Sequence, residues 1–351
     1  MSFLNTIGTA VPSHCHSQEK IKDYMQMAHG GNESVNRKLE ALYTKSGIET
    51  RYSCLNDFSL DNPDSFYPDY TTSVEQRLNE YADHALSLSL ESIERCLLDF
   101  DKQLLTHLIT VSCTGMSAPG LDLQLVDHLS LPNSISRSSV NFMGCYAAIH
   151  ALKIANDICL AHTNAQVLIV CTELCTLHFQ KEPTDDNLLA NCLFSDGSAA
   201  LLISNAKKGF EIKGFYSEIH AKGKDEMSWK IGSNGFLMGL TGLVPKVIKE
   251  AIKEFKNKSW EILDWVDAQD VRYAVHPGGK KIIEAIAIEL ELSYVKQSYD
   301  VLKKYGNMSS ASILFVLHAI QETMPKELTK VWGVAFGPGL VMESFGLEYV
   351  G

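Results

Sequence analysis

The chain has 351 residues, 45% of them hydrophobic and 21% charged, which is enough for one large α/β unit or two core-sized halves. The formal net charge of −11 argues against a general nucleic-acid binder. Nine cysteines without a framework spacing argue against a disulfide scaffold, and no apolar run is long enough to span a bilayer. The N-terminus shows no signal-peptide pattern, so we expect a cytoplasmic protein.

Short β-branched and apolar runs alternate with helical patterns along the chain. In chain order, the predicted elements are a strand at 108–112, a buried helix at 145–158, strands at 167–171 and 199–203, an amphipathic helix at 243–255, a strand at 272–275, helices at 280–292 and 309–323, and strands at 331–336 and 342–349. This alternation predicts an α/β fold with a largely parallel sheet and helices on both faces.

The same order of elements occurs twice. In the first half a strand ends at Cys113, a Gly-Cys pair opens a buried helix at Cys145, and two strands follow. In the second half a strand ends at His276, a Gly-Asn pair opens a buried helix near Asn307, and two strands follow. We therefore predict two similar halves, 1–205 and 206–351, joined near the short polar stretch 204–214.

Cys145 is a candidate nucleophile because it follows Gly144 at a predicted strand-to-helix turn. The positive end of the helix dipole favours the thiolate, which is the reactive form of cysteine. The alternative is that Cys145 is one of nine small buried hydrophobic side chains.

His276 and Asn307 are the second and third candidates. His276 ends a predicted strand, where open α/β sheets bind ligands, although it could instead be a core histidine. Asn307 could be a helix N-cap, but it occupies the position in its half that Cys145 occupies in the other. We therefore expect Asn307 and Cys145 to face each other.

A Cys, His and Asn set permits two kinds of chemistry. In a hydrolase, the histidine deprotonates the cysteine and the asparagine orients the histidine. In a condensing enzyme, the histidine and asparagine both donate hydrogen bonds to a thioester oxygen and stabilise an enolate, which attacks an acyl group on the cysteine. The glycine-rich loop at 333–340 matches neither the Walker phosphate-binding motif nor GxGxxG, so we expect its backbone to form part of a cavity wall.

Six blocks of the sequence, in one order over most of the chain, carry a family resemblance. They lie at 113–122, 144–147, 193–197, 276–279, 306–310 and 336–339. Together they resemble the chalcone synthase-like type III polyketide synthases. The resemblance implies a thiolase-like five-layer αβαβα fold of two similar halves, in a homodimer. It also implies that an acyl-CoA starter is extended with malonyl-CoA, without a cofactor, metal or obligatory carrier protein, to a poly-β-keto chain that cyclises to a pyrone, resorcinol or related product.

The resemblance also assigns roles to residues. It makes Cys145 the nucleophile and His276 with Asn307 the decarboxylation and oxyanion pair. It makes Phe194 the aromatic gatekeeper between the CoA tunnel and the cavity, and Phe236 the second gatekeeper. The remaining substrate-binding positions are Gly278, Gly279, Phe336, Gly337, Pro338 and Gly339. Lys38 and Lys45 are the candidates for CoA phosphates, with Lys280 and Lys281 at the tunnel mouth; the alternative for these lysines is a solvated helix face.

Several other functions stay open at this point. The nearest is a β-ketoacyl carrier-protein synthase III, which shares the three residue types but performs one condensation. A cysteine hydrolase and a non-catalytic acyl-binding protein are more distant alternatives, and a thiolase would require a second cysteine in the C-terminal glycine loop. Cys171, Cys175 and His178 have a spacing that a zinc site could use, although no second pair of ligands accompanies them.

Overall fold

The structure is a computed structural model that describes residues 1–58, 66–67, 72–266, 268–292, 295–324 and 329–351. The strands are β1 (Phe3–Ala10), β2 (His14–Ser17), β3 (Thr50–Ser53), β4 (His107–Ser112), β5 (Ser136–Asn141), β6 (Gln166–Leu174), β7 (Asp196–Ser204), β8 (Phe210–Ile219), β9 (Met227–Gly232), β10 (Gly235–Leu240), β11 (Val271–Val275), β12 (Lys330–Gly337) and β13 (Val341–Tyr349). The α-helices are α1 (Gln18–Ala28), α2 (Glu33–Lys45), α3 (Val74–Cys96), α4 (Leu121–His128), α5 (Ala147–Ala161), α6 (Asp185–Leu193), α7 (Val244–Ile262), α8 (Lys280–Glu289), α9 (Lys296–Tyr305) and α10 (Ser312–Thr323).

One nine-stranded mixed sheet organises the chain, in the order β11-β12-β13-β8-β1-β7-β6-β4-β5. Only the pairs β11–β12, β6–β4 and β4–β5 are parallel, and the other neighbouring pairs are antiparallel. The expectation of a largely parallel sheet is therefore wrong. A short turn at Pro338–Leu340 joins β12 to β13, and it is too short for the crossover that a parallel pair needs.

The sheet has two similar parts. In one part, β4 is parallel to β6, followed by the antiparallel strands β7 and β1; in the other, β11 is parallel to β12, followed by the antiparallel strands β13 and β8. The two parts meet at β1 and β8, through the register pairs Phe3–Glu211 and Leu4–Phe210. The predicted repetition of element order is thus present in the topology.

The apolar side chains divide the molecule into five layers. Both α5 and α10 are apolar on most faces and lie between the two parts of the sheet. Alternate residues of β6 face this centre, as Ile169 does, or the opposite layer of α3 and α4, as Val170 does. On the other side, Trp332 and Val334 of β12 pack with α7 and α8. The expected αβαβα layering is confirmed, and it arises because the central strands, such as β6, β7 and β12, are buried on both faces.

No helix in the ranges that the structure describes is both long and apolar enough to cross a membrane.

Candidate active site

Cys145 lies in a tight turn between β5 and α5. Gly144 has φ +86°, a backbone conformation that favours glycine, and a Cβ built on it would lie 2.1 Å from Cδ of Pro338. The Gly144 backbone N–H donates to Sγ of Cys113 at 3.0 Å. The glycine therefore allows the turn that carries Cys145 to pack directly against the glycine-rich loop.

The environment of the Cys145 thiol differs from the one expected. Burial raises the pKa of Cys145 to about 12, against the lowering effect of hydrogen bonds with Ser309 and Asn307. The thiol lies 3.8 Å from Oγ of Ser309. The expectation that a helix start favours the thiolate is contradicted, because α5 begins only at Ala147 and the sulfur is removed from water.

His276 directly follows β11 and is 2% exposed. Its backbone N–H donates to the carbonyl of Val334, which continues the pairing with β12 beyond the end of β11. Both ring nitrogens lack a hydrogen-bond partner among the described residues, and burial lowers the pKa of His276 to about 3. A neutral, buried and unpaired imidazole is unfavourable in isolation, so its nitrogens are available to a ligand.

Asn307 connects the other two candidates. Its backbone forms a parallel bridge with Phe194, which fixes its position between the two halves. Its Oδ1 accepts from the backbone N–H of Ser309 at 2.9 Å, and its Nδ2 donates to the carbonyl of Gly278, two residues after His276, at 3.4 Å. Ser309, whose backbone N–H donates to Asn307, also lies 3.8 Å from the Cys145 thiol, and the Asn307 side chain lowers the pKa of that thiol. The predicted facing of Asn307 and Cys145 is therefore present in the structure.

Two adjoining cavities lie near these residues, although His276 and Asn307 line neither of them. The inner cavity is lined by Cys145, Ser309 and Pro338 among others. The outer cavity extends towards α1 and α6. Four residues line both cavities and form the boundary between them: Cys175, Phe194, Trp229 and Met238.

The two predicted aromatic gatekeepers have different positions. Phe194 is half-buried and lines both cavities. Phe236 lines only the outer cavity, where its ring stacks on His178 with centroids 4.0 Å apart. Trp229 instead occupies the boundary, and its Nε1 donates to the carbonyl of Cys113 at 2.7 Å. Sequence reasoning missed Trp229 and Met238 because the short strands β9 and β10 carry no motif.

Of the predicted cavity-wall positions, only Pro338 lines one of the two cavities, and the four glycines line neither. Gly278 and Gly279 are buried between His276 and the start of α8. A Cβ on Gly337 would lie 2.6 Å from the Tyr146 ring. Pro338 lines the inner cavity and Gly339 has φ +76°, while Phe336 is buried in β12.

A buried carboxylate that sequence reasoning did not identify hydrogen-bonds to residues that surround the site. Glu173, at the end of β6, accepts hydrogen bonds from the Cys113 backbone at 2.9 Å, from Thr114 Oγ1 at 2.9 Å and from Ser310 Oγ at 2.5 Å. Burial raises its pKa, while these hydrogen bonds lower it. The only signal in the sequence is an acidic residue near the end of a completely apolar strand.

The candidate lysines are all exposed and lie outside both cavities. Lys38 forms an ion pair with Asp185 at 2.6 Å. Lys45 ends α2, and the side chain of Lys280, at the start of α8, packs against Gly47 just beyond it. Lys281 follows on α8. Lys45, Lys280 and Lys281 therefore lie on adjoining elements, whereas Lys38 is engaged with α6.

The zinc alternative finds no support. Nε2 of His178 donates to the carbonyl of Thr114 at 2.6 Å and Nδ1 accepts from the Phe236 backbone at 3.2 Å, so both ring nitrogens are occupied. Within the described residues, no group of three or more His, Cys, Asp and Glu side chains is arranged to hold a metal ion.

A buried thiol, an unpaired neutral imidazole and a side-chain amide, placed between the halves of a five-layer αβαβα fold, define a condensing acyltransferase of the thiolase fold. Residues 1–206 match the family described as chalcone and stilbene synthases, N-terminal domain, and residues 213–351 match the corresponding C-terminal domain. The chain belongs to this family, the type III polyketide synthases.

Similar proteins agree with this assignment. "Probable polyketide synthase 1" of Dictyostelium discoideum is 29% identical over 99% of this chain, which spans 11% of that protein's length. An "alpha-pyrone synthesis polyketide synthase-like" protein of Mycobacterium tuberculosis is 31% identical over 89% of this chain and 82% of its own. The crystal structure of the C-terminal type III polyketide synthase domain of Steely1, a type I/III hybrid from Dictyostelium, superposes with a TM-score of 0.93 at 29% identity, covering 100% of this chain and 99% of that one.

Proposed function

We propose that this chain loads an acyl-CoA starter onto Cys145 and extends it with malonyl-CoA by decarboxylative condensation. The observation that carries the proposal is the position of Asn307, whose side chain lowers the pKa of the Cys145 thiol and hydrogen-bonds to the loop that follows His276. A thioester whose carbonyl lies between these residues would meet a nucleophile and two hydrogen-bond donors.

In the loading step, the Cys145 sulfur attacks the carbonyl carbon of the starter thioester and its proton passes to His276. Burial disfavours a thiolate and an imidazolium separately, since it raises the pKa of the thiol and lowers that of the imidazole. Formed together, the two opposite charges stabilise each other, so the pair ionises as a unit. The carbon–sulfur bond to CoA then breaks and the CoA thiolate takes up the proton.

In the extension step, malonyl-CoA replaces free CoA. Its thioester oxygen accepts hydrogen bonds from His276 and Asn307, which stabilise the enolate that forms as CO2 leaves. The enolate carbon attacks the acyl group on Cys145, and the Cys145 thiolate departs. The lengthened β-ketoacyl chain is then on CoA and can return to Cys145 for another cycle.

Further features of the reaction belong to the same proposal. We assign Phe194 and Phe236 to gating, and Gly278, Gly279, Phe336, Gly337, Pro338 and Gly339 to the cavity wall. The name of the Mycobacterium tuberculosis relative supports a pyrone among the possible products. Lys45, Lys280 and Lys281, with Lys38 beside them, would attract the phosphates of CoA.

We also propose a cytoplasmic homodimer that acts on free CoA thioesters without a cofactor, metal or obligatory carrier protein. The strand β5 supports dimer formation, because it is the edge strand of the sheet and most of its residues are exposed. An exposed edge strand offers unpaired backbone groups to a second copy of the chain.

A single condensation, as in a β-ketoacyl carrier-protein synthase III, is the second candidate. The observation in its favour is that Phe194, Trp229 and Met238 narrow the passage out of the inner cavity. The number of malonyl units in the released product separates the two functions.

The test is incubation with malonyl-CoA and a panel of acyl-CoA starters, followed by mass spectrometry of the protein and the products. We expect an acyl adduct on the Cys145 peptide and products that contain two or more malonyl units. Cys145→Ala should abolish the adduct, whereas Cys15→Ser, which removes an exposed free thiol, should retain it. An adduct that persists in Cys145→Ala would contradict the assignment, and products with one malonyl unit would establish the second candidate.

A further inference from the structure

The outer cavity contains a buried charge that the reaction described above does not use. Arg51, on β3, lines this cavity and is 4% exposed. Its Nε donates to Oε1 of Gln18 at 2.9 Å, and its Nη1 donates to the carbonyls of Asn191 and Phe194, both at 2.7 Å. Its Nη2 has no partner. No carboxylate of the described residues forms an ion pair with this guanidinium, so a full positive charge is buried with only neutral neighbours.

The other donor atoms around the outer cavity each make at least one hydrogen bond within the protein. Every nitrogen or hydroxyl donor of the remaining lining side chains hydrogen-bonds to the protein: Thr176, His178, Gln180, Asn187, Asn191 and Trp229. The rest of the lining is apolar or thiol, for example Met25 and Phe58. Among the described lining residues, Nη2 of Arg51 is therefore the one side-chain nitrogen or hydroxyl that makes no hydrogen bond within the protein.

The titratable groups near Arg51 are neutral at ordinary pH. Burial raises the pKa of Tyr43 and raises that of Cys192 to about 12, and it lowers the pKa of His16. These are the groups from α2, α6 and β2 on which the charge of Arg51 acts. A ligand oxygen in the outer cavity thus meets one cation and no competing anion among them.

We propose that Arg51 binds a keto or enolate oxygen of the elongating β-keto chain where that chain passes from the inner into the outer cavity. This inference rests on the proposed function, because only repeated condensation makes a chain with two ketones in a 1,3 relation, as in acetylacetone. Such a group loses a proton readily to give an enolate that spreads its charge over two oxygens. A buried guanidinium without an acid partner gains most from an oxygen that carries negative charge.

The Arg51 side chain also hydrogen-bonds to a residue at the boundary between the two cavities. Nη1 of Arg51 binds the carbonyl of Phe194, and the backbone of Phe194 is bridged to Asn307. A chain oxygen on Nη2 would therefore be held at a fixed place relative to the boundary residues. Arg51 would favour the enolised form of the chain in the outer cavity and so influence which oxygens and carbons meet when the ring closes.

The experiment uses acetylacetone, a small 1,3-diketone, and full-length Cys145→Ala protein, which cannot load a chain. The pKa of acetylacetone is measured from the ultraviolet band of its enolate, with and without saturating protein. We expect bound acetylacetone to show a pKa lowered by about one unit or more, because an opposite charge within contact distance lowers acid pKa values by about 1–3 units. An unchanged pKa would overturn the proposal.

Three further variants in the Cys145→Ala background locate the site. Arg51→Lys should lose most of the pKa shift, because a lysine cannot replace the planar guanidinium. Ala190→Met fills the outer cavity, leaves Arg51 in place and should also abolish the shift, so the test survives if Arg51→Lys fails to fold. Lys207→Met, at an exposed lysine outside the cavity, should keep the full shift. A full shift in Ala190→Met would overturn the proposal.

The last measurement uses pantetheine, the part of CoA that carries amide groups. Its amide carbonyl oxygens are the alternative ligands for Nη2 of Arg51. Displacement of acetylacetone by pantetheine would assign Arg51 to the CoA arm and would overturn the assignment to the chain. Because acetylacetone binding needs no catalysis, a missing pKa shift with normal product formation refutes this inference alone. Missing adducts and products with a normal shift would refute the proposed function instead.

Discussion

The substitution Gly144→Ala tests whether Cys145 is positioned by close contact with the glycine-rich loop. Two separate costs follow from the structure. Gly144 has φ +86°, and a left-handed conformation costs a residue with a Cβ about 1–2 kcal/mol. The added Cβ would also lie 2.1 Å from Cδ and 2.9 Å from Cγ of Pro338. Relieving an overlap of this kind costs about 1–3 kcal/mol more.

A matched control separates the two costs. Gly31 has φ +72°, and a Cβ built on it would have no atom within 4 Å. Gly31→Ala should therefore carry the conformational cost alone. For a chain of 351 residues, the steric part should lower the Tm of Gly144→Ala below that of Gly31→Ala by about 1–4 °C.

The assays are thermal unfolding and the rate of acyl loading onto Cys145. Relief of the overlap must move either the turn at Cys145 or Pro338, and a displacement of about 1 Å at a reacting group can cost about 10²-fold in rate. We expect a marked loss of loading in Gly144→Ala and wild-type loading in Gly31→Ala. Equal Tm values and equal loading rates in the two variants would refute the close contact between the turn and the loop.

Four other substitutions test the remaining assignments. Changing His276 or Asn307 to Ala should slow CO2 release from malonyl-CoA by about 10²–10³-fold, because each supplies a donor to the enolate; an unchanged rate excludes that residue. Phe194→Ala should shift starter preference more than total loading, since Phe194 lines both cavities, and an identical product profile argues against gating. Lys45→Met should raise the KM for malonyl-CoA most at low salt, relative to exposed Lys207→Met. Equal KM values would place Lys45 outside the CoA site.

The sequence predicts several of the buried strands because short, completely apolar runs are typical of strands that are covered on both faces, but it did not reveal β1 (Phe3–Ala10). The strand predicted at 108–112 is β4 (His107–Ser112), and the one predicted at 167–171 is the core of β6 (Gln166–Leu174). The direction of the strands could not be obtained in this way. An apolar run is compatible with parallel or antiparallel neighbours, and β1 pairs with β7 almost two hundred residues later in the chain.

The helix limits near the site were less well predicted. The helix predicted at 145–158 begins at Ala147, and the one predicted at 309–323 is divided into a 3₁₀ turn at Ser309–Ala311 and α10. These small differences matter chemically. Cys145 lies before its helix, in a buried turn, so desolvation has more influence on its pKa than the helix dipole has.

The candidate catalytic residues were found because each ends a strand or precedes a helix, which are positions that a sequence pattern reveals. Trp229, Met238 and Arg51 were missed because they reach the cavities through packing between distant segments. The division of the chain into 1–205 and 206–351 stays a prediction.

A crystal structure of Cys145→Ala with acetyl-CoA bound would test the convergence of the three catalytic groups most directly. We expect the thioester oxygen to lie about 2.7–3.1 Å from a ring nitrogen of His276 and from Nδ2 of Asn307, with its carbonyl carbon beside the space left by the sulfur. A bound thioester whose oxygen contacts neither residue, with the His276 ring still unpaired, would contradict the mechanism.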